Sequence, residues 1–436
     1  MLNETASSTE DRPAQRSSVR LMSGEESQQH SELRQIVMSV LSIERELSAN
    51  EETSNENLLL LGPNSRLVAS FEGMLTLPSE EAYAKLDEQL AGMNYLPLFR
   101  EAHGKHIVHV VAGRIRPGER PVWPNVLLFI ATVFSLLLLG TLIAAAELME
   151  AEPALSAAIA NDLIPNLWRG LPYAISLLLI LGAHELGHYF AARYHKLAVT
   201  LPYFIPAPPP LSPFGTFGAF IQLREPMRNR KMLLDVGAAG PLAGLVFAIP
   251  IVFIGLATSQ VGPINPDGLM EGNSLLYAFS KIVVFGRFLP GGGEDVTLNQ
   301  IAQAGWTGLL VTALNLMPVG QLDGGHVLYT LIGDAARKLY YPLLIGMALL
   351  VFLFSEAWLL WLVLLFLFGR VYAAPLDMIT PLDPRRRVIA VVALATFVLT
   401  FVPVPFSVVT ADMLPGGREI VMLTVVLATL WTQRRR

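Results

Sequence analysis

Cysteine is absent from all 436 residues, so neither a disulfide nor a thiolate metal ligand is available. Any metal site has to be assembled from His, Asp or Glu, and His itself is scarce, at eight residues. Charge is also in short supply. Charged residues make up 15% of the chain against 53% hydrophobic, and the mean hydropathy is +0.48. A soluble globular domain carries about 25% charged residues, so much of this chain is expected to be solvated by lipid. The formal net charge of −5 is too small and too scattered to suggest a nucleic-acid partner. Residues 1–30 lack the apolar core of a signal peptide and read as a disordered tail. Their composition is not transit-like, which points to a bacterial plasma membrane and leaves an organellar one open.

What is present divides in two. The first 120 residues carry a large share of the Glu, Lys and Arg, and residues 31–122 read as a small cytosolic α+β domain. A helix is expected at about 31–48, a strand at Arg66–Gly73, a helix at Ser79–Met93 with Ser79 as N-cap, and a strand at Lys105–Gly113. No catalytic constellation occurs there. Residues 123–436 read as a polytopic α-helical membrane domain. Lipid-length runs lie near 126–148, 171–194, 232–257, 299–318, 339–354, 357–374, 388–402 and 419–431, about eight spans by the length criterion. The Arg and Lys clusters at 114–120, 193–196, 224–231, 337–338, 385–387 and 434–436 all fall on one side if both termini are cytoplasmic.

The second apolar run contains HELGH, residues 184–188. On a helix His184 and His188 are one turn apart and project from one face, where both can bind one zinc ion. Glu185 is rotated off that pair and can act as general base on a water activated by the metal. Two His and a Glu within one span are costly in hydrocarbon unless they bind, pair or react.

A catalytic zinc takes three protein ligands and keeps one position open, so a third ligand is required. Asp295 lies across the bilayer from His188. Asp323 is better placed, in NLMPVGQLDGGH (Asn315–His326), where Pro318, Gly320, Gly324 and Gly325 break a span on the side toward which His188 points. Asp235 reads as an interfacial residue at a helix start, Glu225 as solvated among basic neighbours, and Asp377 ranks below Asp323.

HELGH on one span, with N-x-x-P and L-D-G-G on a later one, resembles the motif pair of the site-2 protease family of intramembrane zinc metalloproteases, over roughly residues 171–334. The resemblance implies His184, His188 and Asp323 as ligands of one Zn²⁺, Glu185 as catalytic base, and Asn315 as a residue that positions substrate or stabilises the oxyanion. The spacing between Pro318 and Asp323 is longer than the compact animal form and is similar to the plastid and cyanobacterial EGY-type branch. So are the soluble N-terminal part, a loop of about 40 residues after the third span that is too short for a PDZ domain, and the lack of a regulatory domain after the last span.

Three features complete the reading. Residues 201–223 place five prolines between Pro202 and Pro210 and then alternate Gly with Phe, so they suit a re-entrant hairpin beside the site and no spanning helix. Thr216–Leu223, with Phe217 and Phe220, is a candidate strand edge for an extended substrate. GAAGPLAG (Gly237–Gly244) has helix-packing spacing. His326 is expected to hydrogen-bond Asp323 from behind. The expected function is therefore hydrolysis of peptide bonds in or near the transmembrane helix of a membrane-protein substrate. A metal or ion transporter using the His/Asp cluster as a transit site, or a catalytically silent scaffold, are the alternatives; no inverted repeat of broken helices favours the transporter.

Overall fold

The computed structural model describes residues 24–47, 65–115, 117, 118, 120–264 and 269–408. The polar N-terminal part forms helix α1 (Gly24–Met38), strands β1 (Leu41–Glu46) and β2 (Arg66–Leu75), helix α2 (Ser79–Ala91), and strands β3 (Tyr95–Ala102) and β4 (Lys105–Ala112). The antiparallel sheet runs in the order β1-β2-β4-β3. Leu33, Val37, Phe71, Leu86, Leu90, Phe99 and Val108 fill the core between sheet and helices.

Two expectations are corrected here. The helix placed at 31–48 begins at Gly24, taking in part of the stretch read as a disordered tail, and ends at Met38. Beyond it, the Leu41 and Ile43 side chains feed β1, where tertiary pairing with β2 overrides the helical spacing. Residues 1–23 of the expected tail lie outside the described residues. Ser79 is the first helical residue and not the N-cap; its hydroxyl turns instead to Asp377 and Thr380.

The apolar part begins with helix α3 (Trp123–Glu147) and the short α4 (Pro153–Asn161). Next come α5 (Leu171–Tyr194), a hairpin of β5 (Tyr203–Pro206) and β6 (Thr216–Phe220), and α6 (Arg230–Ala257). Strands β7 (Gln260–Pro263) and β8 (Leu269–Glu271), helix α7 (Leu275–Phe285) and strand β9 (Glu294–Thr297) form the next connection. Helices α8 (Gln300–Asn315), α9 (Asp323–Ile332), α10 (Ala335–Lys338), α11 (Tyr340–Leu353), α12 (Leu359–Phe368) and α13 (Pro384–Thr400) follow, and β10 (Phe406–Val408) pairs with β8.

Among the described residues four helical stretches are long and apolar enough to cross a membrane: Trp123–Glu147, Ile164–Tyr194, Arg230–Ala257 and Ala335–Leu353. The runs expected near 299–318, 357–374 and 388–402 appear as the shorter α8, α12 and α13, and the run at 419–431 lies outside the described residues. Helix α8 ends at Asn315, ahead of Pro318 and Gly320, and is enclosed by protein: Ala302, Ala304, Trp306, Thr307, Leu309, Leu310, Thr312 and Ala313 are all buried.

The two ends of the bundle are chemically distinct. At one end, Lys231 pairs with Glu80 at 2.6 Å, and the peptide of Phe99 bonds to the segment before α13, with Phe99 N to Leu376 O at 2.8 Å and Met378 N to Phe99 O at 3.2 Å. That segment bonds on to the residues before α6, Leu376 N to Met227 O at 2.9 Å. The N-terminal sheet is thus extended through 376–378 to the base of α6. At the other end, Lys281 is fully buried between Glu271 (3.1 Å) and Asp295 (3.0 Å), as a buried ammonium requires. Gln300, five residues after Asp295, donates its backbone N–H to Glu147 at the far end of α3 (2.7 Å), so Asp295 lies at the opposite end from α13's basic start.

The proline-rich hairpin is deeper than a cover at the membrane face. Its base is held at the basic end, where Asn125 donates to Leu201 O at 2.7 Å. Its tip is held well inside: Ser135, midway along α3, donates to Gly215 O at 2.6 Å, and Tyr173, at the far start of α5, donates to Phe214 O at 3.0 Å. Twelve residues of helix separate Trp123 from Ser135, about 18 Å of depth. Such irregular backbone is tolerated because the surrounding helices satisfy its carbonyls.

Candidate metal centre

Helix α5 is a run of Leu, Ile and Ala that stays helical through Tyr194 and stops where Lys196 adopts a left-handed φ of +58°. His184, Glu185 and His188 are buried in its second half. The two imidazoles stand one turn apart with their Nε2 atoms 3.1 Å from each other. Asp323 Oδ2 lies 3.2 Å from His188 Nε2 and 3.3 Å from His184 Nε2. Asp323 arrives there because α8 ends at Asn315, the chain turns through Pro318 and Gly320 (φ +60°), and α9 starts at Asp323 itself. The restart is tight: a Cβ on Gly324 would lie 1.9 Å from the Leu316 carbonyl.

The environment orients the ligands as well as gathering them. His188 Nδ1–H donates to the Val236 carbonyl of α6 at 2.7 Å, which leaves the Nε2 lone pair for a ligand. Helix α6 reaches that close through its small residues. A Cβ on Gly240 would stand 2.1 Å from His188 Nε2, and one on Gly187 would stand 2.5 Å from the Ala239 carbonyl. The Gly237–Gly244 stretch therefore packs against the motif helix, directly on its imidazoles.

Three donor atoms within 4.8 Å of one another, two imidazole nitrogens and one carboxylate oxygen, could hold a metal ion. The set suits zinc on its own geometry. Donors bound tetrahedrally at about 2.0–2.2 Å sit roughly 3.3–3.6 Å apart, close to the 3.1–3.3 Å observed. With its Nδ1 committed as donor, His188 turns an Nε2 lone pair toward His184 Nε2 and the Asp323 carboxylate, an arrangement that a shared cation would satisfy. Glu185 is buried beside this cluster without belonging to it, and the backbone N–H of Ile221, just after β6, faces its carboxylate. Asn315 Nδ2 lies 3.5 Å from His184 Nε2.

The other expected residues separate clearly. His326 makes no hydrogen bond to Asp323 among the described residues, contrary to expectation. Its ring lies against Gly237 and its Nδ1 is buried without a partner, because helix α9 turns it toward α6. Phe217 and Phe220 are 61% and 48% exposed on the hairpin, with Phe220 stacked on Tyr203 at 5.3 Å. Asp235 is engaged by His195 and Arg386, and Asp377 caps its own turn by accepting from Ile379 N and Thr380 N. Sequence reasoning missed the Val236 carbonyl and Gly240. The small-residue spacing pointed at close packing, and no side-chain pattern marks a backbone acceptor.

The profile of peptidase family M50 matches residues 172–353. The chain is 31% identical over 285 residues to the probable zinc metalloprotease EGY2, chloroplastic, of Arabidopsis thaliana, covering 64% of this chain and 49% of that protein. It is 31% identical over 304 residues to the probable zinc metalloprotease EGY1, chloroplastic, of Oryza sativa subsp. japonica, covering 61% and 50%. To EGY1 of Arabidopsis thaliana it is 32% identical over 249 residues, covering 56% and 44%. The chain spans about half the length of these curated relatives. No solved structure matches it. The helix carrying HELGH, the broken span with its Asp, and these similarities identify residues 172–353 as a peptidase family M50 (site-2 protease) domain, in a chain similar to the EGY zinc metalloproteases.

Proposed function

We propose that this protein is an intramembrane zinc metalloendopeptidase that hydrolyses peptide bonds in or near the transmembrane helix of membrane-protein substrates. The observation that carries this reading is the convergence of His184, His188 and Asp323 within an apolar helical bundle, with the carboxyl of Glu185 buried alongside and outside the ligand set. When bound by these three residues, a zinc ion supplies Lewis acidity, lowering the pKa of a water molecule and polarising a carbonyl. Glu185 accepts the proton of the attacking water and returns it to the leaving amine. Asn315 donates to the carbonyl oxygen as negative charge develops on it. Val236, through its carbonyl, keeps the His188 ring in the ligating tautomer.

A peptide has to be extended to be cut. Strand β6 pairs only with β5 among the described residues, leaving an edge to which an unwound substrate segment can add. Phe217 and Phe220 flank that edge. In this reading residues 31–122 form a cytosolic unit, both termini lie on the basic side, and the chain sits in a bacterial plasma membrane or in an organellar one, as the names of the chloroplastic relatives suggest.

The test is quantitative proteomics of membranes containing the wild-type protein or Glu185→Gln. Single-pass membrane proteins should accumulate uncleaved with the variant, at an unchanged level of the protease. Undiminished cleavage with Glu185→Gln would reject the assignment.

A further inference from the structure

Asp235 lies one residue before the carbonyl that holds His188, and it is tied to the helices on both sides. Its Oδ2 accepts from His195 Nε2 at 2.9 Å, just past the end of α5. Arg386, in the first turn of α13, grips both oxygens, Nε to Oδ1 at 2.8 Å and Nη2 to Oδ2 at 2.6 Å. Asp383 holds the remaining arm, Arg386 Nη1, at 2.6 Å and caps α13 by accepting from Arg386 N at 3.0 Å. A two-pronged guanidinium–carboxylate pair fixes direction as well as distance, which a lysine at the same place could not do. On the other flank of the same two turns, Arg230 Nε donates to the Thr330 carbonyl of α9 at 3.1 Å. The start of α6 is therefore tied to α5, which carries both histidines, and to α9, which opens with Asp323.

The metal centre needs that start to be held closely. The Val236 carbonyl sits 2.7 Å from His188 Nδ1, while Gly240, one turn on, has no room for even a Cβ against His188 Nε2. A slide of α6 by one ångström either breaks the hydrogen bond or drives backbone into the ring. Surface strength alone does not explain the clamp, since partly exposed ion pairs add little to stability. We propose that Asp235 is a positioning residue for the metal centre, fixed by Arg386 and His195 and acting through the Val236 carbonyl on His188. This rests on the reading of His184, His188 and Asp323 as ligands.

The experiment measures Zn²⁺ affinity by chelator competition, and the Co²⁺ absorption spectrum, on the full chain in detergent. Asp235→Asn is expected to weaken Zn²⁺ about tenfold and to alter the Co²⁺ bands, an effect of the size seen when a group that orients a ligand is lost. Arg386→Lys, which keeps the charge but loses the fork, should fall in the same direction and covers the case in which Asp235→Asn fails to fold. Asp295→Asn breaks a buried pair at the opposite end and should lower the melting temperature with the affinity unchanged. Unchanged affinity and spectrum in both Asp235→Asn and Arg386→Lys would overturn the proposal, as would an equal loss in Asp295→Asn. Failure of the wild-type chain to bind Zn²⁺ or Co²⁺ at all would instead overturn the metal-site reading beneath it.

Discussion

His188 is constrained on three sides: by His184 and Asp323 at Nε2, by the Val236 carbonyl at Nδ1, and by the bare backbone of Gly240 against the ring. The last constraint gives a sharp prediction. Alanine is a better helix former than glycine, so Gly240→Ala leaves α6 intact while its methyl group, 2.1 Å from His188 Nε2, displaces the ligand. Zinc affinity should fall at least tenfold in a folded protein, read by chelator competition. An unchanged affinity would show that the ring has freedom the structure denies it. At this scale the sequence was legible where chemistry follows helical spacing, as for His184, Glu185 and His188. It was also legible where a broken helix exposed Asp323. It read Asp235 only as an interfacial residue at a helix start, because the partner that engages it, Arg386, is 151 residues away.

Among the elements, the β5–β6 hairpin does what no helix could, carrying an extended backbone alongside Glu185 of the HELGH helix. Its prolines excluded a spanning helix in the sequence. Its depth depended on two hydrogen bonds, from Ser135 and Tyr173, that no local pattern announces. Phe217 falls in the irregular stretch of the register, between the pairs Pro206–Thr216 and Phe204–Ala219. Phe217 has no partner in that register, so a proline there tests the edge with little loss of β5–β6 pairing. Phe217→Pro should lower substrate turnover about tenfold, the worth of one backbone hydrogen bond, with zinc content unchanged. Full turnover with zinc in place would leave the edge without a role. Strand β3 was missed for a related reason: Pro97 interrupts it, and it buries both faces, so no polar–apolar alternation marks it.

On the scale of the whole molecule, the N-terminal sheet is bonded into the membrane part through 376–378, so its integrity bears on the base of α6. Within that sheet His109 shares a buried hydrogen bond with Ser70 at 2.7 Å, and burial, with Arg100 nearby, pushes its pKa down to about 4. The unfolded chain takes up a proton near pH 6.5, and the folded sheet resists it until about pH 4. Stability is therefore complete above pH 6.5 and is lost as the pH falls from there toward 4, by up to about 3 kcal/mol. Hydrogen exchange of the sheet amides across this range should show the slope in the wild type and a much flatter one in His109→Gln. A flat wild-type profile would mean the imidazole is solvated.

The central claim is that three side chains from two distant segments close on one metal ion inside the bundle. Elemental analysis of the purified full chain tests it most directly. One zinc per chain is predicted for the wild type and for Glu185→Gln, and essentially none for His188→Ala or Asp323→Ala. Zinc retained at full stoichiometry in Asp323→Ala, or absent from the wild type, would contradict the account.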